Sequence, residues 1–327
     1  MAIAVITGAG AGVGRAAARE LARQGFDVGL VGRDLARLEA AAKDVRDLGM
    51  RAHVASADVA DAAAVDAAAE AIETALGPID VWVNNAMATV FSPVSRTDPA
   101  EFKRGTEVTY LGTVHGTMAA LKRMRLRDRG TIINVGSALA YRSVPLQAIY
   151  CGAKSAIRGF TDALRSELIH DRSRITLTMV HMPALNTPQF DWALNLTGKR
   201  AQPVPPVYQP EVAARAIAFA AQHPRREIWV GFSTVLAIMA NRLAPGLADR
   251  YLAWAGYSSQ MASQREAINA PSNLYEPVQG AYAAHGRFDA QARDTSWEMI
   301  TSRHKGAFTL IAAVVTVAGL RHLLRHR

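Results

Sequence analysis

The chain has 327 residues, half of them hydrophobic, which is enough to bury a full-sized core in one large domain or in one domain plus an extension. Its single cysteine, Cys151, excludes an internal disulfide framework. The cysteine content therefore gives no indication of an oxidising compartment, and we expect a cytoplasmic protein. The formal net charge is +9, but outside the last residues of the chain the basic surplus is dispersed, so we expect no nucleic-acid partner.

Strand-length and helix-length segments alternate along the first 230 residues. Continuous Val, Ile and Leu runs indicate strands covered on both faces, at 2–7, 27–31, 51–55, 79–84, 130–135, 174–180 and 227–230. Amphipathic stretches predict helices at 12–24, 35–48, 60–75, 99–124, 147–169 and 210–222. The alternation predicts a doubly wound, parallel α/β sheet that binds ligands at the carboxyl ends of its strands.

Two further regions follow the alternating part. Residues 185–210 form a long proline-rich stretch with Phe190, Trp192 and Leu194, which is typical of a lid over a binding site; a plain connector is the alternative. Residues 232–257 predict one or two helices broken at Pro245, and residues 258–302 are polar and irregular. We therefore predict a catalytic domain at 1–231, a helical and irregular extension at 232–302 and a tail at 303–327.

The tail combines an apolar stretch with basic flanks. Residues 306–320 carry no charge, whereas residues 301–327 hold five basic residues and no acidic one. Fifteen residues make a helix of roughly 22 Å, shorter than the ~30 Å hydrocarbon core, so contact through residues 306–324 would be shallow or monotopic as readily as spanning. The alternative is a helix that docks on the catalytic domain or on a partner subunit of a homo-oligomer.

A glycine-rich segment joins the first strand to the first helix. It contains Gly8, Gly10, Ala11, Gly12, Val13 and Gly14. Glycines allow a tight turn and close approach to a pyrophosphate, and a helix N-terminus offers free N–H groups. In this strand–turn–helix setting the segment predicts a dinucleotide site.

Basic residues at the second strand indicate which dinucleotide is bound. An acidic residue usually ends this strand in enzymes that prefer NAD, whereas here Gly32 and Arg33 follow it. Arg33 suits a phosphate, and Arg15 is a second candidate contact. We therefore expect NADP(H) to be preferred over NAD(H).

Three central residues are candidates for catalysis. Ser137 follows the fifth predicted strand, and Tyr150 and Lys154 are four residues apart, so they share one face of a helix. An adjacent ammonium favours the phenolate of a tyrosine, which could then exchange a proton with a carbonyl or alcohol oxygen that Ser137 also binds. No His, Cys or acidic cluster has metal-ligand spacing, and we predict no metal.

The motifs occur in the order found in single-domain short-chain dehydrogenases/reductases, which residues 1–230 therefore resemble. They are Thr7-Gly8-x-x-x-Gly12-x-Gly14, Asp58-Val59, Asn84-Asn85-Ala86, Ser137, Tyr150-x-x-x-Lys154 and Pro183-x-x-x-Thr187. The resemblance implies a seven-stranded Rossmann fold. It also implies that Asp58 and Val59 lie near the adenine, that Asn84 and Ala86 lie along the cofactor, and that Pro183 and Thr187 lie at the nicotinamide. Lys154 would bind the nicotinamide ribose and lower the Tyr150 pKa.

Three positions depart from the family pattern. Met87 and Ala184 replace glycines, and Thr109 stands where an asparagine usually joins a water-linked proton relay. A threonine offers fewer hydrogen bonds than an amide, which puts the relay in question.

The combined expectation is an oxidoreductase that interconverts a carbonyl and an alcohol, with an apolar small-molecule substrate suggested by Phe190, Trp192, Leu194, Met87 and Leu139. The alternatives are an epimerase or dehydratase with a tightly held cofactor, and a non-enzymatic NADP(H)-binding protein at a membrane.

Overall fold

A computed structural model describes residues 1–268 and 270–296. Its central sheet has seven strands: β1 Ile3–Thr7, β2 Asp27–Gly32, β3 Ala52–Ser56, β4 Val81–Asn84, β5 Gly130–Ser137, β6 Ile175–Met182 and β7 Glu227–Trp229. They lie in the order β7-β6-β5-β4-β1-β2-β3, and all neighbours are parallel. The predicted doubly wound seven-stranded fold is confirmed, and each predicted strand overlaps an observed one.

Helices cover both faces of the sheet. They are α1 Gly12–Arg23, α2 Leu35–Arg46, α3 Ala62–Leu76, α4 Pro99–Thr106, α5 Gly112–Met124, α6 Ala148–His170, α7 Gln189–Trp192, α8 Pro210–Gln222, α9 Phe232–Leu243 and α10 Pro245–Ala255. One apolar cluster joins the sheet to α1, α2 and α8, and a second joins it to α3, α5 and α6. Because alanines line these helix faces, the helices approach the strands closely.

The predicted helix over residues 99–124 is interrupted. A π-helical turn, Glu107–Leu111, separates α4 from α5. Such turns widen the helix by one residue locally and are frequent at functional sites. Here the turn contains Thr109, whose side chain is fully buried.

The proline-rich stretch at 185–210 is partly ordered as short elements. It contains α7 and the strand Lys199–Ala201, which pairs antiparallel with Met261–Arg265 of the extension. Phe190 is buried in a small cluster with Phe91, Ala201 and Phe288. This ring therefore packs the loop onto the domain, and Phe190 does not line the cleft at the strand ends that is described below.

Residues 273–288 of the extension, which we call the strap, cross the edge where the strands end. Three of its residues are buried: Leu274, Ala284 and Phe288. Between these anchors the strap has no helix or strand, and several of its middle residues are exposed. The extension is thus laid against the catalytic part of the chain at this edge.

The predicted tail at 303–327, with its membrane contact through residues 306–324, lies outside the described residues. Within the described ranges, no helix combines the length and the apolar character that a bilayer crossing requires.

Candidate active site

A cleft of about 200 Å³ lies at the carboxyl ends of β1, β2 and β4. This is the point where the strand order reverses, between β1 and β4, and where open α/β sheets bind ligands. Most of the predicted cofactor-binding residues line the cleft: Gly8, Gly10, Ala11, Gly12, Val13, Arg33, Asp58, Val59, Ala86 and Thr187. Arg37, Trp192, Asn273 and Pro277 line it as well, and the sequence motifs did not assign them to the cofactor.

The glycine loop is shaped for close approach. Gly8 has a φ of 68°, and a Cβ there would lie 2.9 Å from the Cα of Ala86. A Cβ at Gly14 would lie 2.1 Å from the carbonyl oxygen of Gly8, so Gly14 packs α1 against the loop and does not line the cleft. The N-cap of α1, Ala11, has no side-chain cap, which leaves main-chain N–H groups for an anion. These features fit a dinucleotide pyrophosphate.

The two predicted phosphate contacts lie in different places. Arg33 lines the cleft at the end of β2. Arg15 does not line it, because its guanidinium pairs with Asp44 of α2 at 2.7 Å. Arg15 therefore lies outside the cleft lining, and Arg37 of α2 is the second arginine that lines the cleft.

Asn84 and Pro183 also lie away from the cleft lining. Asn84 is buried, and its amide accepts from Trp82 and donates to Thr117 and Asn134 at 2.8–2.9 Å. This network ties β4 to β5 and α5, so Asn84 holds the sheet together beneath the cleft. Pro183 follows β6 and faces Gly231, where a Cβ would meet it at 3.1 Å.

The predicted catalytic residues are brought together at the end of β5. Ser137 is the last residue of this strand, and Tyr150 and Lys154 lie one turn apart on α6. The Nζ of Lys154 is 5.5 Å from the centroid of the Tyr150 ring and donates to the carbonyl of Val135 at 2.6 Å. The Ser137 Oγ accepts from Leu139 N at 3.1 Å, which fixes the hydroxyl at the strand end.

Burial shifts both titratable groups of this cluster. It raises the pKa of Tyr150 to about 12, against a hydrogen bond with Ser137 that lowers it. It lowers the pKa of Lys154 to about 7. Desolvation thus outweighs the Ser137 hydrogen bond, and Lys154 is not among the groups that shift the Tyr150 pKa here, so its expected lowering of that pKa stays a prediction. Tyr150 is a protonated phenol at neutral pH.

Thr109, at the relay position, is used by the main chain. Its hydroxyl accepts from Ala88 N and donates to Ala88 O, both at 3.0 Å. Because a hydroxyl has one proton, the Thr109 hydroxyl has no further hydrogen to donate to a relay water. Thr109 thus holds the segment after β4, which contains the cleft residue Met87, in place.

A buried polar cluster lies behind Ser137. His181 on β6 is fully buried, and its Nδ1 donates to the Ser137 carbonyl at 3.1 Å. Glu227 accepts from Tyr141 at 2.7 Å and from Trp229 at 2.8 Å. Burial raises the pKa of Glu227, but the nearby His181 imidazole and hydrogen bonds from Trp229 and Tyr141 outweigh it and bring the pKa to about 2. Sequence spacing could not reveal this cluster, because Tyr141, His181 and Glu227 come from three segments that are far apart in the chain.

Comparison with known proteins decides the family. The family model described as short chain dehydrogenase matches residues 2–193. The chain belongs to the short-chain dehydrogenase family. Both the resemblance inferred from the motifs and the expected oxidoreductase class are confirmed by this match.

Members of the short-chain dehydrogenase family resemble this chain over most of its length. The uncharacterized oxidoreductase YxnA of Bacillus subtilis is 33% identical over 276 residues, which cover 84% of this chain and 78% of that protein. The uncharacterized oxidoreductase Mb1570 of Mycobacterium bovis is 31% identical over 253 residues, which cover 76% and 72%. The similarity to both proteins therefore reaches beyond the 192-residue span of the family model into the extension.

Two solved structures of similar fold contain NADP-type cofactors. An alcohol dehydrogenase from Thermococcus sibiricus, complexed with 5-hydroxy-NADP, has a TM-score of 0.61 and 26% identity, covering 70% of this chain and 96% of that one. L-Sorbose reductase from Gluconobacter frateurii, complexed with NADPH and L-sorbose, has a TM-score of 0.62 and 25% identity, covering 70% and 94%.

Proposed function

We propose that this short-chain dehydrogenase is an NADP(H)-dependent reductase that converts a carbonyl group into an alcohol, with Tyr150 as the proton donor. The observation that carries the proposal is the cluster of Ser137, Tyr150 and Lys154 at the end of β5, in which Tyr150 keeps its proton at neutral pH because its pKa is about 12. A protonated phenol is an acid, and carbonyl reduction requires an acid at the oxygen. The reverse reaction uses the same groups with the proton moving the other way.

Each member of the cluster has a distinct part in this reaction. The Ser137 hydroxyl, fixed at the strand end, donates a hydrogen bond to the substrate oxygen and orients it toward Tyr150. Tyr150 transfers its phenolic proton to that oxygen as negative charge develops there. Lys154 stabilises the phenolate left behind, and its contact with the Val135 carbonyl holds the ammonium beside the ring. The nicotinamide cofactor, when bound, supplies the hydride.

The cleft residues favour a cofactor with an additional phosphate. Arg33 is a permanent cation at the end of β2, where an acidic residue would accept the ribose hydroxyls of NAD. Both neighbours with bound cofactor were solved with NADP-type molecules. We therefore retain NADP(H) as the preferred cofactor, with Arg33 as the residue that sets the preference.

An apolar substrate is proposed from the residues that remain beside the cleft. Met87 and Trp192 line it, whereas Phe190 is withdrawn into the small core beneath the loop. A panel of carbonyl compounds with NADPH, ranging from aliphatic and aromatic ketones to sugars, tests this. Best activity on small, highly polar sugars would contradict it.

The substitution Tyr150→Phe tests the catalytic assignment. It removes the proton donor and keeps the ring, so we expect turnover to fall by a factor of about 100 or more. NADPH binding, measured by quenching of tryptophan fluorescence, should stay within a few-fold of wild type. Tyr257→Phe, an exposed tyrosine of the extension, is the matched control and should retain full turnover. A Tyr150→Phe enzyme with near wild-type turnover would refute the assignment.

The substitution Arg33→Ala tests the cofactor preference. A charge-assisted contact with a phosphate contributes roughly 1.5–3 kcal/mol, so wild type should bind NADPH about 10- to 100-fold more tightly than NADH. The variant should lose most of this difference by weakening NADPH alone. Arg15→Ala is the control, because Arg15 pairs with Asp44 and should leave the ratio unchanged. Equal affinities in the wild type would show that the preference is absent.

A further inference from the structure

The strap, residues 273–288, occupies hydrogen-bond donors of the cleft. The carbonyl of Ala283 accepts from Gly12 N at 3.0 Å, at the first residue of α1. The two terminal nitrogens of Arg33 donate to the carbonyls of Tyr275 and Asn273. Main-chain oxygens of one segment therefore satisfy both ends of the surface that the proposed cofactor would use.

These donors are the ones that suit phosphate groups. The N–H groups at the start of α1 and the positive end of its dipole favour an anion, and the guanidinium of Arg33 matches phosphate geometry. A carbonyl oxygen is a neutral acceptor with only a partial negative charge. A phosphate oxygen at the same position makes a stronger, charge-assisted bond, so phosphate can replace the strap at these donors.

The volume of the cleft also indicates that the strap must move when a dinucleotide binds. The cleft measures about 200 Å³ with the strap in place. Sites for drug-sized ligands usually measure about 300–1,000 Å³, and a dinucleotide is larger than most such ligands. Asn273 and Pro277 of the strap form part of its wall. A dinucleotide therefore needs the strap to move outward.

The construction of the strap allows this movement. Leu274 and Ala284 are almost fully buried and Phe288 packs in the small core, so both ends are anchored. The intervening residues have no regular secondary structure, and several are exposed. Two contacts hold the middle. The Arg37 guanidinium donates to the Val278 carbonyl at 2.6 Å. The Tyr282 ring meets Trp192 edge-on at 4.6 Å and lies 5.6 Å from the Arg37 guanidinium. The middle can thus leave the cleft while the ends stay in place.

We propose that the strap is a gate on the cofactor cleft, which closes the free enzyme with main-chain carbonyls and is released when cofactor phosphates take over Gly12 and Arg33. The proposal rests on the proposed function, since it assumes that the cleft binds a dinucleotide. It makes the apparent affinity for the cofactor depend on the fraction of molecules whose strap is open.

Oxidative footprinting of the full chain with and without saturating NADPH gives the first test, because it reads the exposure of the Tyr282 side chain, which packs on Trp192 in the closed strap. We expect hydroxyl radicals to modify Tyr282 at least several-fold faster with NADPH, while Tyr251, exposed on α10, is modified at an unchanged rate. Faster modification at the strap is the opposite of ordinary protection by a ligand. Unchanged modification of Tyr282 would overturn the gate, and slower modification would overturn it by showing that the strap closes over the cofactor.

The substitution Tyr282→Ala gives the second test, because it weakens the closed strap without removing a donor of the cleft. Loss of the Trp192 and Arg37 contacts should raise the open fraction, so NADPH should bind about 3- to 10-fold more tightly and associate faster. Tyr251→Ala, an exposed tyrosine of α10, is the matched control and should change neither quantity. Unchanged or weaker NADPH binding by Tyr282→Ala would overturn the gate.

The two tests separate this proposal from the one on which it rests. If neither NADPH nor NADH binds wild type or Tyr282→Ala, the proposed function itself fails. If NADPH binds and the strap does not loosen, the cofactor assignment stands and the gate alone is refuted.

Discussion

Lys154 is a cation in an almost fully buried site. Its exposed fraction is 2%, and its one hydrogen-bond partner in the described part of the chain is the carbonyl of Val135. Burial disfavours the charged form, so the pKa falls to about 7 from the 10.5 of an exposed lysine. The protein therefore holds a destabilising group at the position where the proposed mechanism needs a positive charge.

This arrangement predicts how stability depends on pH. Between about pH 7 and 10.5 the unfolded chain holds the lysine proton and the folded protein has released it, so the free energy of unfolding should rise with pH. From pH 7 to 8.5 the rise should be about 1–2 kcal/mol in urea denaturation of the cofactor-free protein. Lys154→Met should remove most of this rise and should be more stable than wild type at pH 6. Parallel pH profiles for the two proteins would contradict the prediction.

Single residues show where sequence reasoning succeeds and where it stops. Ser137, Tyr150 and Lys154 could be placed together because strand ends and helix periodicity fix their positions. Arg33 was the leading candidate for a phosphate contact, and Arg15 was a second one. Which of them reaches the cleft depends on Asp44, a residue of α2 that pairs with Arg15 and that no motif includes.

At the scale of elements, the close contact between α1 and the glycine loop limits which residue types position 14 tolerates. Gly14→Ala would place a methyl group 2.1 Å from the Gly8 carbonyl oxygen, so helix and loop must separate. We expect a loss of about 1–3 kcal/mol in unfolding free energy and a weaker cofactor affinity.

The same substitution in another helix gives the matched control. Gly159 lies within α6 with nothing within 4 Å of its virtual Cβ, so Gly159→Ala should gain about 0.5–1 kcal/mol. Thermal denaturation of both variants measures the difference. A Gly14→Ala protein as stable as Gly159→Ala would mean that α1 can shift without cost.

Elements with a strong repeating pattern were predicted, and an element set by tertiary contacts was not. Continuous Val and Ile runs located the seven strands, because buried strands have few other compositions. The π-helical turn Glu107–Leu111 has no such pattern. It is fixed where Thr109 meets the main chain of Ala88, a contact across 21 positions.

At the scale of the whole molecule, the α/β fold followed from the sequence and the position of the strap did not. The strap reaches Arg33, Arg37 and Gly12 through its own carbonyl oxygens. Every residue type has such an oxygen, so these contacts leave no signature in the sequence. Residues 258–302 accordingly looked irregular in the sequence, and the location of the strap over the cleft emerged only from the structure.

The large sequence separation of these contacts means that the strap is synthesised well after the strands that form the cleft. Arg33 and its partners in the strap are separated by 240 and 242 positions. At about 5–20 residues per second, the strap leaves the ribosome several seconds after the last sheet strand, β7. During that interval the nascent sheet can fold with its cleft uncovered. With the proposed cofactor and gate, a chain made where NADPH is abundant would acquire its cofactor before the covering segment exists, whereas a finished chain would first have to uncover the cleft.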